Sequence, residues 1–362
     1  MRGNLLRLLA LLALVSGAAR AEESDLVKRG EYLTRAADCA ACHASPTGTP
    51  WVGGRPFKMP MGIGVLYSAN ITPDPDTGIG RYSDDEWVEM MHHGIGRGGK
   101  HLYPAMPYNS YTLMSREDAL AIKAYMFTQP AVRSTPPENE LVFPANQRWL
   151  MAGWNLINNP GHRLKTVDGK SVEWNRGAYL VEALGHCAQC HTPRNITQGL
   201  SGKQFAGAEQ ADWVAYNLIS DRDHGIGGWT DNQLVQYLGT GHADGRGPAS
   251  GPMAEAVENS LRYMTQDDLS AMVVYLRDLP ARTDGPPAVP AVAASPAINA
   301  ASASIGAGRP TSPPTPAART AWAHAYSRKR ARAAIFQAGL GGSRPGRLWG
   351  AITAPATSQA RT

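Results

Sequence analysis

Two short stretches, Cys-Ala-Ala-Cys-His at residues 39–43 and Cys-Ala-Gln-Cys-His at residues 187–191, use all four cysteines of the 362-residue chain. They stand at equivalent places in an internal repeat. "RGEYL" at Arg29–Leu33 returns as "RGAYL" at Arg176–Leu180, and "NITPDPDTGIG" at Asn70–Gly80 returns as "NLISDRDHGIG" at Asn217–Gly227, both 147 positions on. "PAMP" around Met106 is matched by "GPMA" around Met253 at the same offset. The cysteine motifs themselves are 148 apart, so one residue has been inserted just before the second. "MSREDALAIKAYMFTQP" from Met114 pairs with "MTQDDLSAMVVYLRDLP" from Met264 at an offset of 150. A repeat of this length is one unit built twice.

Each copy reads as short helices separated by loops. The first helix carries Tyr32 and Leu33 (Tyr179 and Leu180) into the cysteine motif. Ser83 with Glu86, and Thr230 with Gln233, form capping-box starts for a middle helix. A closing helix starts near Ser115 and Thr265 and ends by Pro130 and Pro280. Residues 131–170, between the copies, hold Trp149 and Trp154, whose rings are costly to leave in water, so an ordered connector is expected. No alternating run argues for a sheet.

The cysteines narrow the chemistry. A zinc site wants about four ligands, and each motif supplies two thiols and one imidazole with no cysteine to spare. Thioredoxin-like exchange sets Cys-x-x-Cys beside a strand in a βαβ unit, which is absent here. Disulfides between 39 and 42, or 187 and 190, would clip tiny loops for little stabilisation. Cys-x-x-Cys-His is the attachment signature of c-type haem: Cys39, Cys42, Cys187 and Cys190 add to the vinyl groups, and His43 and His191 present imidazole to the iron. A sixth ligand is then needed in an electron carrier, and methionine sulfur commonly fills it. Met106 lies 63 residues after His43 and Met253 lies 62 after His191, each beside a proline and in a loop before the last helix. Met59, Met61, Met114 and Met264 read as core filler. His92, His93, His101, His186 and His242 have no histidine at the equivalent position and read as loop or surface residues. Asn70, Asn217 and Arg194 are candidates for the haem edge or propionates, each with a plain alternative as turn or solvated residue. The Gly-rich "GIGRGGK" and "GHADGRG" turns follow no strand. They read as close backbone approach to a flat ring rather than a phosphate cradle, so no nucleotide cofactor is expected.

The formal net charge of +5 misleads. Residues 1–21 carry three Arg and no acid, and residues 285–362 carry eight Arg and one Lys and no acid, leaving about −7 for residues 22–284. A nucleic-acid partner is therefore not expected. Residues 1–21 read as a secretory signal, with Arg2 and Arg7, an apolar run from Leu8 to Val15 and a small-residue site at Ala19–Ala21. The run is too short to span a bilayer unaided.

"EWNRGAYLVEALGHCAQCHTPRN" (Glu173–Asn195), "SANITPDPDTGIGRYSDDEW" (Ser68–Trp87) and "LYPAMPY" (Leu102–Tyr108) closely resemble the cytochrome c subunit of bacterial membrane-bound alcohol, gluconate, sorbitol and fructose dehydrogenases. The resemblance covers roughly residues 22–282. It implies an all-α fold of two tandem class I cytochrome c-like domains, residues 22–131 and 171–282, joined by the connector 132–170, with two covalently bound haem c groups. It implies haem-binding roles for Cys39, Cys42, His43 and Met106, and for Cys187, Cys190, His191 and Met253. It further implies a periplasmic electron-transfer subunit that is not catalytic alone. Such a subunit takes electrons from a large quinoprotein or flavoprotein dehydrogenase subunit and passes them toward ubiquinone, with peripheral association at the membrane through partners.

Members of the family commonly carry a third haem module. Here residues 283–362 are instead a low-complexity Ala/Pro/Arg tail without a further Cys-x-x-Cys-His. The tail reads either as a disordered basic segment for an acidic partner or lipid headgroups, or as the product of a lost reading frame near Arg309; the second reading is favoured. A missing third haem puts quinone reduction by this chain in doubt. Two other functions fit the motifs: a free dihaem carrier feeding a terminal oxidase, and a dihaem peroxidase, which would need one iron with an open or displaceable ligand.

Overall fold

The computed structural model describes residues 22–210 and 213–282. The expected signal segment and the Ala/Pro/Arg tail lie outside the described residues. Within them helix is the predominant regular structure, with few strand residues, and no helix is long and apolar enough to cross a membrane.

The first copy comprises α1 (22–36), α2 (Cys39–His43), α3 (Asp84–His93), α4 (Tyr108–Tyr111) and α5 (Arg116–Phe127). After α6 of the connector (Leu150–Asn158) come α7 (Val172–Ala178), α8 (Ala188–His191), α9 (Asp231–Thr240), α10 (Gly251–Asn259) and α11 (Gln266–Arg277). Both capping boxes are formed: Ser83 and Glu86 exchange bonds at the start of α3, and Thr230 and Gln233 do so at the start of α9. Gly94 and Gly241 close those helices in the left-handed region, at φ 64° and 77°.

The first and last helices of each copy cross at a glycine. A Cβ on Gly30 would lie 1.9 Å from the Ala121 carbonyl oxygen, and one on Gly177 would lie 1.9 Å from that of Ala271. Only a residue without a side chain lets the two backbones meet there. Trp87 of α3 closes the same corner by donating its indole N–H to the Ala119 carbonyl at 2.7 Å.

The residue inserted before the second cysteine motif has a visible address. α7 runs on as a π-helical segment, Tyr179–Leu184, whereas α1 stays α-helical throughout. A wider turn takes up one residue without rotating the chain beyond it. Leu180 and the cysteine motif can thus keep the places that Leu33 and its motif hold in the first copy.

Strands, which the sequence pattern does not announce, are short. Pro56–Lys58, Gly64–Tyr67 and Glu140–Leu141 form a three-stranded antiparallel sheet whose edge is supplied by the connector. Ile95–Gly96 pairs with Lys100–His101, and Ala208–Gln210 pairs with Trp213–Ala215. "GIGRGGK" is therefore a hairpin, with Gly98 and Gly99 at φ 69° and 74° supplying its turn.

The copies pack on one another through a reciprocal contact. Tyr32 of α1 donates to Asp268 of α11 at 2.5 Å, and Tyr179 donates to Asp118 of α5 at 2.7 Å. Each tyrosine oxygen also accepts a backbone N–H from the other copy, from Thr265 and Ser115 respectively. Each aspartate in turn holds the arginine of its own copy, Arg29 with Asp118 and Arg176 with Asp268. Residue x meeting y while y′ meets x′ is the pattern of a two-fold interface. It lies here inside one chain.

Candidate functional site

Both cysteine motifs fold as a single short helical turn entered from an unusual backbone. Asp38 precedes the first at φ 52° and His186 precedes the second at φ 39°, so the turn in both copies starts from a left-handed residue that is not glycine. Such a conformation is held in place by its surroundings. All four thiols are free. Burial, then the neighbouring carboxylate, pushes Cys39 and Cys42 up to about 12, and burial and Glu182 do the same to Cys187. Burial also raises Cys190. These are the opposite of the lowered values that redox-exchange cysteines need. Among the described residues no three His, Cys, Asp or Glu side chains converge on a point that could hold a metal ion.

The imidazoles are aimed. Nδ1 of His43 lies 2.8 Å from the carbonyl oxygen of Ala69, and Nδ1 of His191 lies 2.6 Å from that of Tyr216. Ala69 and Tyr216 are repeat equivalents, each just before the asparagine that opens the "NITPDPDTGIG" loop or its copy. A carbonyl accepts and cannot donate, so Nδ1 carries the proton and Nε2 keeps its lone pair. That fixes the tautomer and ring plane each imidazole would offer to a metal. Burial lowers both imidazole pKa values, with the carbonyl bond opposing, so the neutral form is favoured. Sequence inspection does not single out these carbonyls because a backbone acceptor leaves no side-chain signature; the repeated loop was the available sign.

Asn70 and Asn217 do other work than expected. The Asn70 amide donates to Thr77 Oγ1 and to the carbonyls of Val132 and Ser134, and its oxygen accepts the Thr72 N–H. Asn217 accepts the Ile219 N–H and donates to the Arg282 carbonyl. Both buried side chains tie the loop to the segment that leaves the last helix, which is the turn role that the sequence offered as the alternative to a haem contact. Arg194 is not a solvated residue: it donates to the Gln189 carbonyl at 2.7 Å and to Gln189 Oε1, which sets its guanidinium near Cys190.

Met106 sits in the loop before α4, as expected, whereas Met253 lies in the first turn of α10 rather than in a loop. Both are partly buried against the core. His92 is a correction: it is buried in α3, its pKa lowered to about 4 by burial and by the Arg163 charge, and is no surface residue. His186 also packs inward, its ring 5.7 Å from that of Tyr111.

The two motifs converge where the copies meet. Gln189 of α8 donates to Asn109 Oδ1 and Ser110 Oγ of α4, and Ser260 donates to the Ala36 carbonyl beside the first motif. Arg55 joins the Ala41 carbonyl to Glu255 of α10 at 2.5 and 2.6 Å. Cys42 and Cys190 are near enough that charge on Cys190 raises the Cys42 pKa.

Thiols in pairs, imidazoles with a free Nε2 and two copies of the arrangement fit c-type haem. Comparison with known proteins reaches the same chemistry. The chain is 40% identical over 291 residues to the gluconate 2-dehydrogenase cytochrome c subunit of Pantoea cypripedii, covering 75% of this chain and 65% of that one. It is 40% identical over 262 residues to the fructose dehydrogenase cytochrome subunit of Gluconobacter japonicus, covering 71% and 53%. A diheme cytochrome c-type protein of Cereibacter sphaeroides is 33% identical over 259 residues, and there the match spans 70% of this chain and 86% of the other. The chain belongs to this family of c-type cytochromes. It spans about half to two thirds of the length of the two dehydrogenase cytochrome subunits. No protein-family model matches it. As in the family, haem c is the group its paired thiols and anchored imidazoles suit.

Proposed function

We propose that this cytochrome is a periplasmic dihaem electron-transfer subunit. It would take electrons from a separate quinoprotein or flavoprotein dehydrogenase subunit, for alcohols, gluconate or other polyols and sugars, and pass them toward the quinone pool. The observation that carries the reading is the matched pair of imidazole clamps, His43 on Ala69 and His191 on Tyr216. In this reading residues 22–131 and 171–282 are tandem class I cytochrome c domains joined by residues 132–170, and residues 1–21 are the export signal.

Cys39 and Cys42, and Cys187 and Cys190, would hold the two haems through their thiols. His43 and His191 would offer Nε2 to the iron, and Met106 and Met253 would offer sulfur. A haem held this way supplies an iron that changes oxidation state by one electron with no net proton. The protein's part is to hold both rings rigid, so little reorganises on transfer, and the Tyr–Asp contacts and the Arg55–Glu255 pair do this for the two halves together. With haems bound, convergence of the motifs would place the two groups' attachment points near one another.

Expression in a host that matures c-type cytochromes tests the reading. The expected product carries two covalent haems by mass and shows the sharp absorption bands of a reduced low-spin cytochrome. His43→Ala and His191→Ala should each remove one low-spin signal and leave the other. A product with the mass of its amino acids alone would overturn the proposal.

A second reading, a free dihaem carrier, is favoured by the Cereibacter relative, which is matched over 86% of its length and whose name mentions no dehydrogenase. Purification without an associated dehydrogenase would select it.

A further inference from the structure

The connector helix α6 presents an apolar face to solvent. Its register places Trp149, Ala152, Gly153, Leu156 and Ile157 on one stripe, and every one of them is exposed, Leu156 by 88% and Trp149 by 67%. The opposite face turns inward and mixes Leu150, Met151 and Trp154 with Asn155 and Asn158. Asn155 donates to the His93 carbonyl at 2.7 Å and Asn159 to that of His92 at 2.9 Å, while Asn158 Oδ1 accepts from Thr197 and Asn195. A helix at a water-facing surface normally sets polar residues on its exposed side. The cost of exposing Trp149, which from sequence argued for its burial, is met in this chain by nothing the described residues supply.

The stripe lies beside the redox parts of both halves. Trp154 donates to the Thr197 carbonyl, just after the second cysteine motif, and its ring meets Tyr108 of α4 edge-on at 6.0 Å. The Tyr103 hydroxyl, from the loop that carries Met106, donates to the Ala145 carbonyl of the connector at 3.0 Å. Ile196, in the loop α6 touches, is 98% exposed, and Phe143 just ahead of the helix is 78% exposed.

Charge selects the occupant. From residue 141 to 167 there are three cations, Arg148, Arg163 and Lys165, and no acid, although residues 22–284 as a whole are acidic. No charge falls between Trp149 and Gly161. An apolar, aromatic centre with charge confined to its rim is the anatomy of a permanent subunit interface. A second copy would set this basic rim against itself across a two-fold contact, which like charges oppose. Three spaced cations on an acidic body also fall short of the clusters of roughly four to eight that hold proteins to anionic lipid.

We propose that the exposed face of α6, with Ile196 and Phe143, is the surface on which the catalytic dehydrogenase subunit docks, through an apolar patch ringed by acidic side chains. The inference rests on the electron-transfer reading above and names the face that reading requires.

The test co-expresses the full haem-loaded chain with the quinoprotein or flavoprotein chain whose gene adjoins it, and compares wild type with L156E/I157E. The variant should recover on the order of a hundredfold less catalytic subunit, with an unchanged reduced spectrum, thermal midpoint and dithionite reduction. Should the double variant lose its spectrum, Ile157→Ser replaces it. Equal recovery by variant and wild type overturns the docking face and leaves the subunit reading standing. No recovery by the wild type overturns both. Loss by the variant of binding to phosphatidylglycerol vesicles, or of a dimer in sedimentation, with subunit recovery intact, overturns it in favour of lipid or self-association.

Discussion

At the scale of single residues, glycines separate two kinds of requirement. Gly30 and Gly177 are needed for space, because the facing carbonyl oxygen occupies the Cβ position. Gly30→Ala should lower stability by about 1–3 kcal/mol, and Gly177→Ala by a similar amount, read as a fall in thermal midpoint with haem retained. Gly98 is needed only for its backbone angle: its φ is 69° and a Cβ would meet nothing within 4 Å. Gly98→Ala should cost about 1–2 kcal/mol. Histidine shows where residue-level reading of the sequence stops. The partnered Cys-x-x-Cys-His motifs announced His43 and His191. Absence of a repeat partner said nothing about burial, and His92 proved to be core. Asn70 and Asn217 were rightly marked as special by their repetition, but repetition preserves a loop's internal bonds as readily as a cofactor contact.

At the scale of elements, the π-helical segment Tyr179–Leu184 accounts for the change of offset from 147 to 148. Deleting Ala183 should restore a plain α-helix like α1 and keep covalent haem in the second half. Failure of attachment, read by mass, would show that the wider turn is needed in its own right, for instance to bring Glu182 to Tyr275 and Gln204. Helix starts were legible because caps are local: Ser83, Ser115, Thr230 and Thr265 each accept the N–H three residues on, as their spacing indicated. The short strands were not, since two- and four-residue pairings leave no alternation to read. Trp149 misled because a burial argument takes the isolated chain as the whole assembly.

At the scale of the molecule, the Tyr–Asp contacts span more than 230 residues in one case, so no local pattern reveals them. Their trace was nonetheless present, since Tyr32, Tyr179, Asp118 and Asp268 are identical between copies. The double variant Tyr32→Phe with Tyr179→Phe should lower the thermal midpoint while leaving each half's haem spectrum unchanged. Acid acts on the same contact. Burial raises the Asp268 pKa, but bonds from Arg176 and Tyr32 outweigh it and the net shift is downward. A depressed carboxylate stabilises the fold above its unfolded value, and the benefit fades as pH falls through the folded one. Midpoints measured across the acid range should therefore drop less steeply for Asp268→Asn than for wild type.

That reciprocal contact has a further consequence. A single module bearing one such tyrosine and one such aspartate is complementary to itself, so two identical chains could have joined this way before any gene fusion. A fused pair can keep the mating geometry while each half drifts alone. Asp38 in one place and His186 in its counterpart, or Arg55 with no arginine at the matching place of the second copy, are marks of that freedom, and they give the two Cys-x-x-Cys-His motifs unlike neighbours from one inherited blueprint.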